Sequence, residues 1–484
     1  MKPTSLPLAR AITAALLVMA LPTAPAAPPA ARPSPRPPAA APQPPAAAPA
    51  APTRCIDEER FDAATGGETA PAAGASANDD PRSQLDALVR AAVSRSQAVG
   101  ASQLLVEAAE QDIEEAKAGK QLQASIGGTL GPQATYYPGY PDSGAVIGRA
   151  ALTLSQVLYD SGRTAAFTGW RAQLAEASRQ GNLSQREQVA VNTVALALER
   201  SRWRTQLQVY GQYVRKMACL VDALETIVKS DRGRASELVQ AKKSLAQAEL
   251  SVSLTQSQLR QTEVRLARFV GDTLPPPRGL AGVLLTVPEL DRLQADVERS
   301  PEIEAMAAQA TAADRYADAV ATSAKPTISW NFTGTHSSAA GGSSLREPGL
   351  KNNSVGLGVA VNIPLLSPGT EAAGSAAKKR AQAAWMQRED AVQSRRYRVA
   401  EVHEQTQSAF DRARRTGAVL RDSEQVRNFT LQQWQQLGRR SLFDVMSAEA
   451  EHYNLIAYVN ALHDGQQLNA VLLSLGRGVS EWLR

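Results

Sequence analysis

Leu154-Ser155-Gln156-Val157-Leu158-Tyr159-Asp160-Ser161-Gly162-Arg163 and Val361-Asn362-Ile363-Pro364-Leu365-Leu366-Ser367-Pro368-Gly369-Thr370 are two versions of one corner, 207 positions apart from Leu154 to Val361. In each, an alternating stretch runs into a turn, and a long proline-free helical stretch follows. Two more landmarks recur in the same order. Gly233-Arg234-Ala235-Ser236 returns as Gly438-Arg439-Arg440-Ser441 after 205 positions, and Arg95-Ser96-Gln97 as Arg299-Ser300-Pro301 after 204. One order at nearly one spacing predicts an internal two-fold repeat. Its period lies far beyond the roughly 20–50 residues of a solenoid unit. The repeating unit reads strand, strand, very long helix, returning helix.

Before the first corner, Leu122, Ala124, Ile126 and Leu130 alternate with Gln121, Gln123, Ser125 and Thr129, and Ala150, Leu152 and Leu154 alternate with Arg149, Thr153 and Ser155. Period-two alternation predicts strands with one apolar face. Tyr136, Tyr137 and Tyr140 sit in the turn-rich loop between them. Before the second corner, Ile328, Trp330 and Phe332 oppose Ser329, Asn331 and Thr333. Val355, Leu357, Val359, Val361 and Ile363 then oppose Ser354, Gly356, Gly358, Ala360 and Asn362. The spacing after each corner predicts helix over 163–229, returning over 235–270, and over 371–436, returning over 441–475. At about 1.5 Å per residue the first is roughly 100 Å long. A helix capped by Ser83 and running to Gly119, and one over 301–323, precede the two strand pairs.

The helical stretches are amphipathic but poor in large apolar residues, so they are expected to pair lengthwise as coiled coils. Each strand is long enough to cross a bilayer at a tilt, which takes about 9–11 residues. A soluble sandwich would alternate too. Export of the chain, loop tyrosines suited to a membrane interface, and apolar-against-small-polar faces favour a membrane barrel. Only closed barrels place strands in lipid, and four strands cannot close. Two copies would give eight strands and a filled lumen. Three would give twelve and an open one, and small residues such as Gly356, Gly358 and Ala360 suit a pore. The expected fold is an α+β membrane protein: four transmembrane strands per chain with long antiparallel coiled-coil helices, as a trimeric twelve-stranded β-barrel with an α-helical tunnel.

Lys2 and Arg10 flank a short apolar run, and Ala24-Pro25-Ala26 is a small-residue cleavage site, so residues 1–26 read as a signal peptide. An uncleaved N-terminal helix is the alternative. Residues 27–82 are a flexible Pro/Ala-rich segment, 83–275 the first repeat, 276–299 a linker and 300–484 the second repeat. The chain holds 52 basic against 47 acidic residues, interspersed, which does not point to nucleic acid. His336, His403, His452 and His463 lack metal-ligand spacing, and neither a Gly-x-Ser-x-Gly elbow nor a P-loop is present, so neither an enzyme nor a cofactor is expected. In an oxidising compartment Cys55 and Cys219 can form a disulfide or stay as two thiols.

The two duplicated motifs, from about Ser83 to Arg484, resemble the TolC-type outer-membrane channel family. One is the corner quoted above, whose first copy lacks the family's proline. The other is the helix–helix turn, Gly438-Arg439-Arg440-Ser441-Leu442-Phe443-Asp444-Val445 and Gly233-Arg234-Ala235-Ser236-Glu237-Leu238. The resemblance implies a homotrimer with its barrel in outer-membrane lipid of a Gram-negative cell and its helices in the periplasm. It also implies docking on a periplasmic membrane-fusion adaptor and an inner-membrane ABC or RND pump. It makes Arg440, Asp444 and Glu237 candidates for the periplasmic gate. Gly233, Arg234, Ser236, Gly438, Arg439 and Ser441 become candidates for adaptor contact at the tip. Ser447 stands where a second gate acid often follows. The blander reading of Arg440 and Asp444 is a solvated ion pair, and of Gly233 and Gly438 a helix end at positive φ. The turn Asp231–Ala241 and Cys219 resemble channels of type I protein secretion more than multidrug efflux channels. A periplasmic adaptor or coiled-coil scaffold is the reading of another class, disfavoured by two hairpins and four amphipathic strands.

Overall fold

The computed structural model describes residues 80–135, 143–277, 279–340, 352–437, 440–453 and 456–484. The chain divides into Met1–Thr53 and Arg54–Arg484, and every described residue belongs to the second unit. The signal peptide, Cys55, the loop tyrosines Tyr136, Tyr137 and Tyr140, and the tip residues Gly438 and Arg439 lie outside the described residues.

Two helices open the described chain, α1 (Pro81–Arg95) and α2 (Gln97–Ala118), where the sequence predicted one. Asp80, not Ser83, is the cap. Its carboxylate accepts from the Ser83 N–H at 3.3 Å, and Pro81 occupies the first turn, where its missing N–H is not needed. Ser96 then interrupts the helix with extended backbone, and its hydroxyl accepts from the Val99 N–H at 3.3 Å to start α2.

Strands β1 (Gln123–Thr135), β2 (Ser143–Tyr159), β3 (Thr327–Ala340) and β4 (Asn352–Asn362) form one antiparallel sheet in chain order. β2 and β3 run beyond the alternating stretches, because residues such as Gly148, paired with Leu130 and Ser338, keep the ladder without adding to the apolar pattern.

From β2 the chain enters α3 (Arg163–Ser230), a 68-residue helix and thus about 100 Å at about 1.5 Å per residue. A short turn, Arg232–Arg234, leads to the returning α4 (Ala235–Val270). The second half runs through α5 (Leu290–Asp296), α6 (Pro301–Thr322), β3, β4 and the 70-residue α7 (Pro368–Leu437). Its return is described as α8 (Leu442–Tyr453) and α9 (Ile456–Leu475), and α10 (Val479–Leu483) follows.

Helix contacts rest largely on small residues. Ala175, Ala190, Ala197, Ala241, Ala310 and Ala319 are fully buried, which lets long helices approach closely without a thick core. Larger residues gather at a belt where Leu85, Val194, Leu198, Leu280 and Val479 pack together. The segment after α4 is fixed there by side chains of α9: the Gln466 amide donates to the carbonyls of Leu280 at 2.9 Å and Val283 at 2.7 Å, and the Asn469 amide to that of Leu284 at 2.7 Å. No helix is long and apolar enough to cross a membrane among the described residues.

Candidate functional site

The register sorts the sheet into two chemically opposite faces. Ala124, Leu154, Phe332 and Leu357 form one row across all four strands, and Ile126 pairs with Leu152 on the same side. Next to that row, on the other face, run Ser125, Thr153, Thr333 and Gly356. Among the described residues nothing covers the apolar face: Ile126 and Leu130 are each 82% exposed and Leu357 76%. Burying such side chains yields roughly 1.5–3 kcal/mol each, so this face calls for an apolar surrounding. Among the described residues β1 and β4 each pair along one side only, which leaves two open edges. The sheet is therefore a segment of a wall, apolar on one side, small and polar on the other.

Where the wall meets the helices, Asp160 organises the corner. Ser161 and Gly162 take left-handed backbone, with φ of 53° and 86°. The turn aims the Thr164 N–H at one Asp160 oxygen (2.7 Å) and the Gly162 N–H at the other (3.2 Å), and Lys120 Nζ lies 2.9 Å away. Burial works to raise the carboxyl's pKa, but the hydrogen bonds from Thr164, Lys120 and Gly162 outweigh it and hold the pKa at about 2. The Ser161 hydroxyl donates to the Pro326 carbonyl at 2.7 Å, which ties the corner to the entry of β3. The alternation of the corner does not reveal this capping role; an Asp four positions before a helical Thr is the available signal. In the second corner Pro368 starts α7, and the Ser367 carbonyl accepts from the Thr370 and Glu371 N–H groups at 2.9 and 3.2 Å.

At the far end of the hairpins the tip residues behave differently from their blander readings. Arg440 precedes α8, and its Nε donates to Gln433 Oε1 at 3.2 Å, so it forms no ion pair with Asp444. Asp444 instead accepts from the Ser441 N–H at 3.1 Å while the Ser441 hydroxyl accepts from the Asp444 N–H at 3.2 Å. This reciprocal box caps α8. The physical reason is position: Arg440 lies outside the helix, where four-residue spacing does not bring side chains together. Gly233 lies in the Arg232–Arg234 turn and does not have positive φ. Its N–H donates to Asp231 Oδ1 at 3.0 Å, and a Cβ there would stand 3.1 Å from that oxygen. Arg234 lies 3.9 Å from the same carboxylate. Ser236 is exposed in the first turn of α4, and one carboxylate oxygen of Glu237 is buried without a hydrogen bond among the described residues.

Behind the tip, Met217, Leu220 and Leu224 of α3 pack with Ala241 of α4 and with Leu442, Val445 and Met446 of α8. Beside them lies a buried charge cluster that sequence reading missed. Glu449 of α8 is fully buried, 3.6 Å from Lys216 of α3 and 3.9 Å from Arg427 of α7. Single charged residues in three distant helical stretches leave no pattern that would reveal their meeting. Cys219, half-buried on α3, is not a free thiol.

A two-faced open-edged sheet continuing into roughly 100 Å hairpins is the fold of outer-membrane channels, and solved structures share it. VceC, an outer membrane protein of Vibrio cholerae, is 20% identical, with 82% of this chain and 96% of that one covered at a TM-score of 0.67. The MtrE outer membrane channel of Neisseria gonorrhoeae in its open state is 17% identical, with 82% and 89% covered at 0.67. CusC, solved in the context of transmembrane channel formation, is 18% identical, with 82% and 92% covered at 0.69. No family model and no curated protein sequence matches. The similarity to TolC-type channels read from the two motifs is thus met in the fold, and the proteins that share it are channels rather than enzymes.

Proposed function

We propose that the chain is the outer-membrane channel of an export system, a passive duct with a periplasmic extension. The observation that carries this is the sheet: one apolar uncovered face, one small-polar face and two unpaired edges in a single chain. Three copies close twelve strands into one barrel in outer-membrane lipid, and the α3–α4 and α7–α9 hairpins continue it as a tunnel. Residues 1–26 are the export signal, and the matching order of elements in 83–275 and 300–484 reflects duplication of one strand–helix unit.

The tip would dock on a periplasmic membrane-fusion adaptor, through Gly233, Arg234, Ser236, Gly438, Arg439 and Ser441, and through it on an inner-membrane ABC or RND pump. Asp444, Arg440 and Glu237 stand at the gate. Asp444 would then serve twice, as the α8 cap and as a carboxylate at the narrowest point. Asp444→Asn keeps the size of the cap and removes its charge, so single-channel conductance should change while thermal stability moves little. Unchanged conductance would leave Asp444 as a cap alone. Cys219 pairs with Cys55 in this reading, which tethers the N-terminal segment to α3. A disulfide-linked peptide pair in a non-reducing digest is expected, and two alkylated thiols would refute it.

Type I protein secretion is the preferred cargo, on the tip turn and Cys219. Small-molecule efflux is the second reading, supported by the channels that share the fold. Deleting the gene decides between them. Loss of a protein from the medium supports the first, and raised susceptibility to toxic compounds with an unchanged secretome supports the second. Fractionation tests the whole proposal against an adaptor or scaffold, because an integral barrel stays in the outer-membrane fraction after carbonate washing.

A further inference from the structure

Across the four strands Arg149 is the one side chain with a formal charge at neutral pH; no carboxylate or second cation occurs in them. The register puts it on the small-polar face, between Thr129 of β1 and Ser337 of β3, while its neighbour Ala150 shares the apolar face with Leu152 and Leu154. Its side chain is exposed and makes no hydrogen bond or ion pair with any described residue. His336 of β3 belongs to the opposite face, where its Nδ1 meets Asn353 Oδ1 at 2.6 Å. A charge placed in a lipid-facing row would be costly, and one facing a lumen need not be. Arg149 therefore stands where a charge is tolerated, in a wall that is otherwise neutral.

We propose that Arg149 gives the barrel lumen a preference for anionic over cationic solutes. This rests on the trimeric barrel proposed above, in which three copies of Arg149 lie at one level as a ring. Twelve strands spaced about 4.8 Å apart and tilted by about 40° enclose a backbone radius of roughly 12 Å. The Debye length at 0.15 M salt is about 8 Å, so three guanidinium groups reaching inward influence most of the cross-section. The low-dielectric wall and lipid concentrate that field in the lumen. Charged rings of this kind select ions in other pores. Ten positions of β2 separate Arg149 from Tyr159 at the helical end, so the ring sits in the outer part of the barrel, far from Asp444 and Glu237 at the tip.

The test uses purified full-length protein in planar bilayers, with wild type, Arg149→Gln, Arg149→Lys and Arg149→Glu. Sodium tripolyphosphate, a compact polyanion, is added on the barrel side, so that block reads the barrel rather than the tip. Wild type and Arg149→Lys should be blocked, and Arg149→Gln should need at least about tenfold more tripolyphosphate for half block. Arg149→Glu should not be blocked, and its reversal potential in a KCl gradient should move toward cation preference. Equal block of wild type and Arg149→Gln, with normal conductance, would overturn the anion preference and leave the channel standing. Absence of conductance in every variant would instead overturn the channel reading and the preference with it.

Discussion

The two longest helices hold matching places in the two halves of the chain, yet the chain covers them very differently. α3 packs against α1, α2, α4, α6 and α9, and Leu183 is its one exposed large apolar residue. α7 leaves Met386, Tyr397, Val419, Val426 and Phe429 exposed, and the return helix α4 leaves Val239, Leu250, Leu254 and Val264. So α3 is the spine of the chain, whereas α7 and α4 present apolar stripes outward. Together with the bare sheet face and the open edges of β1 and β4, this difference describes a chain whose packing is completed by something else. In the trimer proposed above, copies of itself around the hairpins and lipid around the sheet would complete it.

The contrast can be broken most severely where the halves are joined by charge. Glu449 is buried between Lys216 and Arg427. Glu449→Gln removes the buried carboxylate that Lys216 and Arg427 both face and should cost about 3–5 kcal/mol in denaturant unfolding. A loss below 1 kcal/mol would mean that water reaches the cluster. Glycines give the next comparison. A Cβ at Gly465 of α9 would come within 2.7 Å of the Phe410 ring of α7, whereas at Gly211 of α3 the nearest contact is Arg215 at 3.9 Å. Gly465→Val should destabilise by about 1–3 kcal/mol. Gly211→Ala should be neutral or stabilise by up to about 1 kcal/mol. Equal thermal shifts would contradict the packing described here.

The corners differ more subtly. Asp160 has a folded pKa of about 2 against a usual value of 3.8. It stabilises the fold fully above its unfolded pKa, and the contribution, about 2 kcal/mol, is lost as pH falls from about 4 to 2. Asp160→Asn should flatten the stability profile in that window, and Ser367→Ala in the second corner should leave it as it is. Melting curves between pH 2 and 7 give the answer. The smallest effect belongs to the tip, where Ser441→Ala removes a cap and should cost about 1 kcal/mol. Hydrogen exchange should localise that change to the first turn of α8.

Periodicity made most of this architecture readable. Hydrophobic spacing placed α3, α4 and α6 to within a residue of where they lie, since long uninterrupted helices leave a strong pattern. The strand faces were readable from Ile126 against Ser125 and from Leu357 against Gly356, because one face must be apolar throughout. Ends were harder. Ser83 and Asp80 are both capping residues three positions apart, and only geometry shows which one caps. The break at Ser96 depends on one residue's extended backbone inside a helical pattern. The site was legible in outline only. Sequence brought Arg440 and Asp444 near one another in number, but Arg440, just before α8, bonds Gln433 and Asp444 bonds Ser441. The Glu449 cluster joins residues more than two hundred positions apart, and such meetings are made by tertiary packing alone.

Native mass spectrometry of the protein extracted from outer membranes in detergent is the most direct test that one chain is a third of a wall. The account predicts a single species of three mature chains that resists dissociation until boiled. A monomer in detergent, retaining its helical signal and inserting no conducting pores, would contradict it.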